Sequence, residues 1–222
     1  VLDDCDDDFR TSPFEDAVIF FDSNGKPVRK VSGLNICQTV GGCRALSVSR
    51  DGRFFTVCEN VANKLSAYQL ETGKRLWSLD GDFTSATISR NGMVYALNSA
   101  NSINPLYGKL TQVIDQEGRI VRQAPAGGFD LAVDADRNVL WLAGKSVKKL
   151  DLELKPLLEV DSIRWCAVSV DLNRDGSVWV AERKHPDVTQ STNRILKISQ
   201  AGQILKTVGL RLSPFCLRVD RS

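Results

Sequence analysis

The chain's single histidine, His185, lies in a polar stretch, ERKHPDVTQSTNR, that also contains Glu182 and Arg183. A loop histidine titrates near neutral pH and is therefore a candidate general base. No nucleophile or orienting carboxylate stands at a recognisable spacing from it, so an exposed histidine without a catalytic role is the competing interpretation. The sequence assigns no catalytic residue, and His185 is the one candidate. Glu182, Arg183 and His185 are instead ligand-binding candidates.

Carboxylates offer a second kind of chemistry, the binding of a divalent cation. The N-terminal stretch VLDDCDDDFR is rich in aspartate. Ca²⁺ takes six to eight oxygen ligands from carboxylates and carbonyls. The stretch lacks the glycine and the terminal glutamate of an EF-hand loop, so a solvated acidic loop is the alternative. No cofactor is predicted, with Ca²⁺ as the one candidate ligand of this kind.

The stretch that leads into His185 is one of four segments that share a frame: SRDGRFFTVCEN (49–60), SRNGMVYALNSA (89–100), ADRNVLWLAGKS (135–146) and NRDGSVWVAERK (173–184). Each has a turn at a glycine or asparagine, followed three positions later by an aromatic: Phe55, Tyr95, Trp141 and Trp179. The Asp-Gly and Asn-Gly pairs supply the positive φ of a tight hairpin, and an apolar strand precedes each turn. These aromatics are first of all part of a structural repeat, in which we expect them to pack between units.

A second hairpin follows each of these segments, as in LSAYQLETGKRLWSL and ILKISQAGQILKTV. Together the two hairpins make a four-stranded unit that recurs about every 40 to 50 residues, which is the period of propeller blades. No stretch has a sustained 3.6-residue period. The sequence therefore predicts an all-β fold, a β-propeller of four-stranded blades.

Five second hairpins predict five blades in a single domain over residues 1–222. The fifth first-hairpin is split between the chain ends, because PFCLRVDRS matches a strand that leads into the turn and VLDDC matches a strand end after it. We expect residues 215–220 to pair with residues 1–4 and close the ring, which removes exposed sheet edges. The alternative is a piece of a longer chain with six or more blades.

The repeat also predicts where chemistry would converge. The residues equivalent to Asp3 at the end of the second strand are Cys58, Asn98, Gly144 and Glu182. Asp3, Asn98 and Glu182 are therefore candidate metal ligands and ligand-binding residues at the channel mouth. Satisfaction of loop backbone groups by these side chains is the competing interpretation.

The pattern of a D/N-G turn, VWVA, a loop and ILKI..AGQILKTV resembles the NHL-type propellers and their streptogramin-lyase-like and gluconolactonase-like relatives. The resemblance covers nearly the whole chain at the level of the repeat. It implies the propeller fold and binding on one face. The relatives' histidine and their Glu, Asn and Asp cation ligands are not matched here by a full motif. SAYQLETGKRLWSL resembles a repeat of the quinone-binding propellers through Thr72, Gly73 and Trp77, but the other copies lack that tryptophan, so no quinone is predicted.

The composition of the chain bears on its predicted binding partners and its cellular location. The formal net charge is only +2 and there is no run of lysine or arginine, so nucleic acid is not a predicted partner. No apolar stretch is long enough for a membrane helix. Among six cysteines, Cys37 and Cys43 flank two glycines in CQTVGGC and form the predicted disulfide. Buried free thiols are the alternative. The cysteines and the fold favour an extracytoplasmic location, periplasmic or secreted.

Three functions compete at this stage. The first is a non-catalytic interaction scaffold that uses the long-loop face to bind a protein partner, as a subunit of a larger assembly. The alternative is a divalent-metal-dependent hydrolase or lyase of the gluconolactonase-like or streptogramin-lyase-like kind, supported by Asp3, Asn98, Glu182 and His185. RNA binding would need a basic face, which the interleaved charges do not provide.

Overall fold

The structure is a computed structural model that describes residues 2–3, 16–34, 46–59, 62–99, 108–160, 166–183, 193–212, 214 and 217–219. Every helix-or-strand element in these ranges is a β-strand. His185, Cys37, Cys43 and the whole of residues 4–15, 100–107 and 184–192 lie outside the described residues. The predictions made for them therefore stay predictions.

The strands form five antiparallel sheets, which we number as blades in chain order. Blade 1 contains β1 Leu2–Asp3, β2 Asp16–Phe21 and β3 Pro27–Leu34. Blade 2 contains β4 Leu46–Val48, β5 Phe54–Glu59, β6 Lys64–Gln69 and β7 Arg75–Asp80. Blade 3 contains β8 Phe83–Ile88, β9 Val94–Asn98, β10 Leu110–Ile114 and β11 Ile120–Ala124. Blade 4 contains β12 Asp130–Asp134, β13 Val139–Ala143, β14 Val147–Asp151 and β15 Pro156–Val160. Blade 5 contains β16 Ala167–Leu172, β17 Val178–Glu182, β18 Arg194–Ile198 and β19 Ile204–Gly209.

Each sheet pairs its strands in chain order, so that every blade is an up-and-down meander. The predicted all-β, propeller-like architecture is confirmed, with five sheets among the described residues, four of them four-stranded and blade 1 with three strands. The first strand of each four-stranded blade is the inner strand, and the last is solvent-exposed, as in β7 and β19. None of the described residues forms a helix long and apolar enough to cross a membrane.

The turns explain why the repeat folds in this way. After the inner strands, Gly52, Gly92 and Gly176 have φ of 68°, 82° and 82°, and Asn138 takes the same left-handed conformation with φ of 57°. Glycine and asparagine adopt this region at low cost, which closes the hairpin tightly. We call this end of the propeller the short-turn face, and the opposite end, where the second strands finish, the long-loop face.

The core consists of layers between successive blades. Trp141 of β13 is fully buried and packs in one cluster with Val170, Val180 and Leu196 of blade 5. Tyr95 of β9 likewise packs in a buried cluster shared by blades 3 and 4. Inter-blade packing of the repeated aromatic is therefore confirmed for Tyr95 and Trp141.

Blade 2 departs from the predicted register. The Ser49 N–H donates to the carbonyl of Phe54, whereas the Ser89 N–H donates to that of Met93, so the blade 2 turn is one residue longer. As a result Phe54 packs in the cluster shared with blade 3. Phe55 faces the other way, where it packs edge-on against Phe20 of blade 1 with ring centroids 5.3 Å apart.

The C-terminal residues run beside blade 5. The Leu217 N–H donates to Ser169 Oγ at 3.2 Å, and the Val219 N–H donates to Asp171 Oδ2 at 2.9 Å. Inner strands contact each other in the same manner elsewhere, since the Ile88 N–H donates to Ser47 Oγ at 3.1 Å. At the other terminus β1 pairs with β2. The predicted pairing of residues 215–220 with residues 1–4 lies mainly outside the described residues and stays a prediction.

Candidate functional site

The long-loop face begins where the second strand of each blade ends. Asn98 and Glu182 are each the last residue of such a strand, in β9 and β17. Asp3 is the last residue of β1, which pairs with β2 in the antiparallel manner in which β9 pairs with β10. The repeat therefore places the three backbones at equivalent positions of their blades. The side chain of Asp3 is outside the described part of the chain. Its role as a ligand stays a prediction.

Glu182 is fully buried and ion-paired. Its Oε2 accepts a hydrogen bond from Arg194 Nε at 2.5 Å, and Arg194 is its cross-strand partner in β18. Burial of a charge is costly unless the charge is paired, so Arg194 is what allows Glu182 to lie here as a carboxylate. The second oxygen, Oε1, has no hydrogen-bond partner among the described residues. The two oxygens of this carboxylate therefore differ, because a described side chain holds Oε2 alone.

Asn98 takes part in a ladder of amides. Its Nδ2 donates to Gln112 Oε1 at 3.3 Å, and Gln112 Nε2 donates to Gln123 Oε1 at 3.3 Å. The ladder crosses three neighbouring strands of blade 3. Gly81 lies against it, because a Cβ at that position would come within 2.8 Å of Asn98 Nδ2. The contacts fix the orientation of Asn98 at the rim.

Glu59, not Cys58, is the strand-end residue of blade 2. The extra turn residue shifts β5, so Glu59 stands at the end of the strand and Cys58 joins the cluster between blades 2 and 3. Glu59 is buried, and its Oε1 accepts a hydrogen bond from the Tyr68 hydroxyl at 3.0 Å. Burial and then the charge of Glu59 raise the pKa of Tyr68 to about 12. The equivalence of Cys58 to Asp3 is therefore wrong.

Among the described residues, two thiols near this face are free: Cys58 and Cys166. Burial raises the pKa of the Cys58 thiol to about 12. Burial also raises the pKa of Cys166, although the charge of neighbouring Arg183 opposes the change. The Arg183 N–H donates to the Cys166 carbonyl at 2.9 Å, which joins the residue after β17 to the residue before β16. Thiols with raised pKa values are poor nucleophiles at neutral pH.

The described residues of the long-loop face bring Glu182 and Arg183 together as chain neighbours, with Asn98 two blades away. Within the described ranges no group of three or more His, Cys, Asp and Glu side chains could hold a metal ion. The proposed ligand set of Asp3, Asn98 and Glu182 depends on a side chain outside those ranges. Its assembly stays a prediction.

Asp130 forms a polar centre between blades that the sequence did not predict. This carboxylate is fully buried at the start of β12, and Oδ1 accepts from Ser85 Oγ at 3.1 Å. Oδ2 accepts from Ser169 Oγ at 2.8 Å and from the Val170 N–H at 3.1 Å. Arg218 Nη1 lies 3.8 Å from the same oxygen. Asp130 thus connects the inner strands of blades 3, 4 and 5.

A cavity of about 670 Å³ opens on the short-turn face. Its lining includes one arginine from each of blades 2 to 5: Arg50, Arg90, Arg137 and Arg174. From the sequence these turns are structural, and the arginines were not predicted as site residues. The sequence nevertheless contains a pattern that indicates these arginines, because three of the four segments have arginine directly before the Asp-Gly or Asn-Gly pair.

The comparisons with known proteins bear on the fold alone. No family model matches the chain, and no curated protein matches it. Among solved structures, a chain of hydrazine synthase from Kuenenia stuttgartiensis superposes with a TM-score of 0.63 at 12% sequence identity. The match covers 80% of this chain and 52% of that one, so this chain spans about half the length of the solved chain. Such a likeness supports the propeller-like fold, which hosts many functions.

Proposed function

We propose that the chain is a non-catalytic interaction scaffold that binds a protein partner through the long-loop face. The proposal rests on one observation: the described carboxylates at this face are engaged in contacts within their own blades. Glu182 is paired with Arg194 at 2.5 Å, and Glu59 accepts a hydrogen bond from Tyr68 at 3.0 Å. Side chains committed in this way make rigid bases for loops, and loops on a rigid scaffold are the usual place for binding.

The state of the described thiols supports the same proposal. Burial raises the pKa of the Cys58 thiol to about 12 and also raises the pKa of the Cys166 thiol. Both are protonated at neutral pH and therefore unsuited to nucleophilic catalysis. We further infer an NHL-type repeat, an extracytoplasmic location and membership of a larger assembly as a subunit. These finer inferences rest on the sequence pattern and the cysteine content.

A loop replacement tests the scaffold proposal. The tagged chain is purified from its source organism with residues 184–192 intact or replaced by a Gly-Ser segment of equal length, and co-purifying proteins are quantified by mass spectrometry. We expect a stoichiometric partner with the intact loop and its loss with the replacement. The control replaces exposed Glu71 and Thr72, on the short-turn face, with Gly-Ser and keeps the partner. Equal recovery with all three chains would contradict the use of the long-loop face.

One observation favours a second candidate, the divalent-metal-dependent hydrolase or lyase. Oε1 of Glu182 is buried, and none of the described residues hydrogen-bonds to it. Carboxylate oxygen is the ligand that Ca²⁺ prefers. Asp3 and Asn98 would complete the set, and His185 is the candidate base.

Calorimetric titration with Ca²⁺ separates the two candidates. If the chain is a metal-dependent hydrolase or lyase, one equivalent of Ca²⁺ should bind to the wild type. Glu182→Gln should abolish that binding. Glu59→Gln, a matched change at the equivalent strand end, should retain binding. Absence of saturable binding by the wild type would remove the metal-dependent candidate and leave the scaffold.

A further inference from the structure

The cavity of about 670 Å³ on the short-turn face lies at the opposite end of the propeller from the long loops. Its volume is within the range of sites that hold small molecules, about 300 to 1,000 Å³. Four inner strands and the turns that follow them form its wall. It is therefore a site distinct from the one proposed above.

Two kinds of side chain line this cavity, and both come from the repeat. The aliphatic collar consists of one residue near the end of each inner strand: Val48, Ile88, Val133 and Leu172. Leu172 is buried, whereas Val48 is exposed. The second kind consists of the arginines of the following turns: Arg50, Arg90, Arg137 and Arg174. Arg50, Arg90 and Arg174 each directly follow the first residue of their turn, and Arg137 lies one position later in its own.

Two of the arginines are neutralised by blade 4. Arg90 Nη1 lies 2.9 Å from Asp136 Oδ1, and Arg137 Nη1 lies 2.9 Å from Asp134 Oδ2. Asp134 is largely buried, so its pair with Arg137 is held more firmly than the exposed pair of Arg90 and Asp136. These pairs shape the rim without adding net charge.

The other two arginines, Arg50 and Arg174, are exposed, and neither has an ion pair with a described carboxylate. The Arg174 turn is fixed in place, because its carbonyl accepts a hydrogen bond from Arg137 Nη2 at 3.4 Å. The lining contains the four arginines and the aspartates Asp134 and Asp136, and an excess of one sign of charge in a cleft concentrates counter-ions of the other sign. The mouth of the cavity therefore has an excess of two cationic groups.

We propose that this cavity binds a small organic anion that carries two anionic groups, one for Arg50 and one for Arg174. Guanidinium groups recognise carboxylate and phosphate through paired N–H donors. Because the two arginines lie on non-adjacent blades, two separate anionic groups match them better than one. The aliphatic collar accommodates the body of the ligand between them.

Titration calorimetry with two probes tests the proposal, with pyrophosphate representing the phosphate source and glutarate the carboxylate source. We expect one equivalent of at least one probe to bind to the wild type at 0.05 M salt. Arg50→Gln and Arg174→Gln should each weaken binding about tenfold or more, the effect of losing a charge-assisted hydrogen bond. Circular dichroism checks that each variant is folded.

The matched control is Arg75→Gln, which removes one exposed positive charge from the outer strand of blade 2. It should leave the affinity unchanged. Absence of saturable binding of either probe to the wild type would overturn the proposal, as would an equal loss in the Arg75 variant. Because this cavity and the long-loop face are on opposite ends, neither result depends on the scaffold proposal.

Discussion

Ser169 of blade 5 donates a hydrogen bond to the buried carboxylate of Asp130 in blade 4, over 2.8 Å from Oγ to Oδ2. Ser85 of blade 3 donates to the other oxygen of the same carboxylate. One side chain thus links the inner strands of three successive blades. This link explains how short strands from separate blades are held in a common arrangement.

Asp130→Ala should strongly destabilise the fold. It would leave the Ser85 and Ser169 hydroxyls and the Val170 N–H buried without this acceptor, and each buried group left unsatisfied costs about 1–3 kcal/mol. Urea denaturation gives the change in the free energy of unfolding. Asp136→Asn, which breaks an exposed pair with Arg90, should cost about 1 kcal/mol or less. Similar losses in the two variants would contradict the role of Asp130.

Trp141→Ala should destabilise the interface between blades 4 and 5. The indole is fully buried, and removal of such a side chain costs about 3–5 kcal/mol. Trp179→Ala, at the matching position of blade 5, should cost less because Trp179 is only partly buried. Chemical denaturation of both variants checks the order. The reverse order would mean that the main packing interface lies elsewhere.

Arg194 and Glu182 should behave as a coupled pair. Arg194→Met leaves the fully buried Glu182 carboxylate without its partner and should cost about 3–5 kcal/mol. Adding Glu182→Gln to that variant should recover much of the loss, because the uncompensated charge is gone. The four unfolding free energies of the double-mutant cycle measure the coupling. Additive losses would show that the pair does not interact energetically.

Acid should weaken the Asp175 turn. Hydrogen bonds from Ser177, and then from Lys197, hold the pKa of the Asp175 carboxyl at about 2, below its ordinary value of 3.8. A carboxyl with a lowered folded-state pKa contributes stability above pH 4 and loses it as the pH falls toward 2. Asp175→Asn should reduce the drop in the urea midpoint between pH 5 and pH 2.5. An unchanged drop would contradict this assignment.

Alkylation should distinguish the two described thiols. With iodoacetamide at pH 8 under native conditions, Cys58 should stay unmodified and Cys166 should react slowly, because Cys58 is fully buried and Cys166 is only partly buried. Peptide mass spectrometry also tests the predicted disulfide between Cys37 and Cys43, which should label only after reduction. Prompt labelling of Cys58 would contradict its placement between blades 2 and 3.

The fold could be predicted from the sequence because its determinants are local. Gly52, Gly92 and Gly176 mark the hairpins, and the apolar strands around them repeat at a regular period. The register of blade 2 could not be predicted, since the extra residue between Ser49 and Phe54 is invisible until the hydrogen bonds are known. This single residue moved the strand end from Cys58 to Glu59.

The sites were harder to predict because they depend on contacts between blades. In the sequence FDLAVD, nothing distinguishes Asp130 from an ordinary polar residue. Its role is visible only in the structure, where Ser85 and Ser169 both donate hydrogen bonds to it. Arg50 and Arg174 are typical of solvated turns, and only the ring arrangement brings them to one cavity. Glu182 was selected from its strand-end position, but its partner Arg194 was not.

Native mass spectrometry of the protein isolated from its source tests the scaffold proposal most directly. The proposal predicts a complex whose mass exceeds the 24.5 kDa of this chain by that of a partner polypeptide. It also predicts that the partner dissociates when residues 184–192 are replaced. A chain that carries only one tightly bound divalent cation, without a partner, would contradict the scaffold and favour the metal-dependent enzyme.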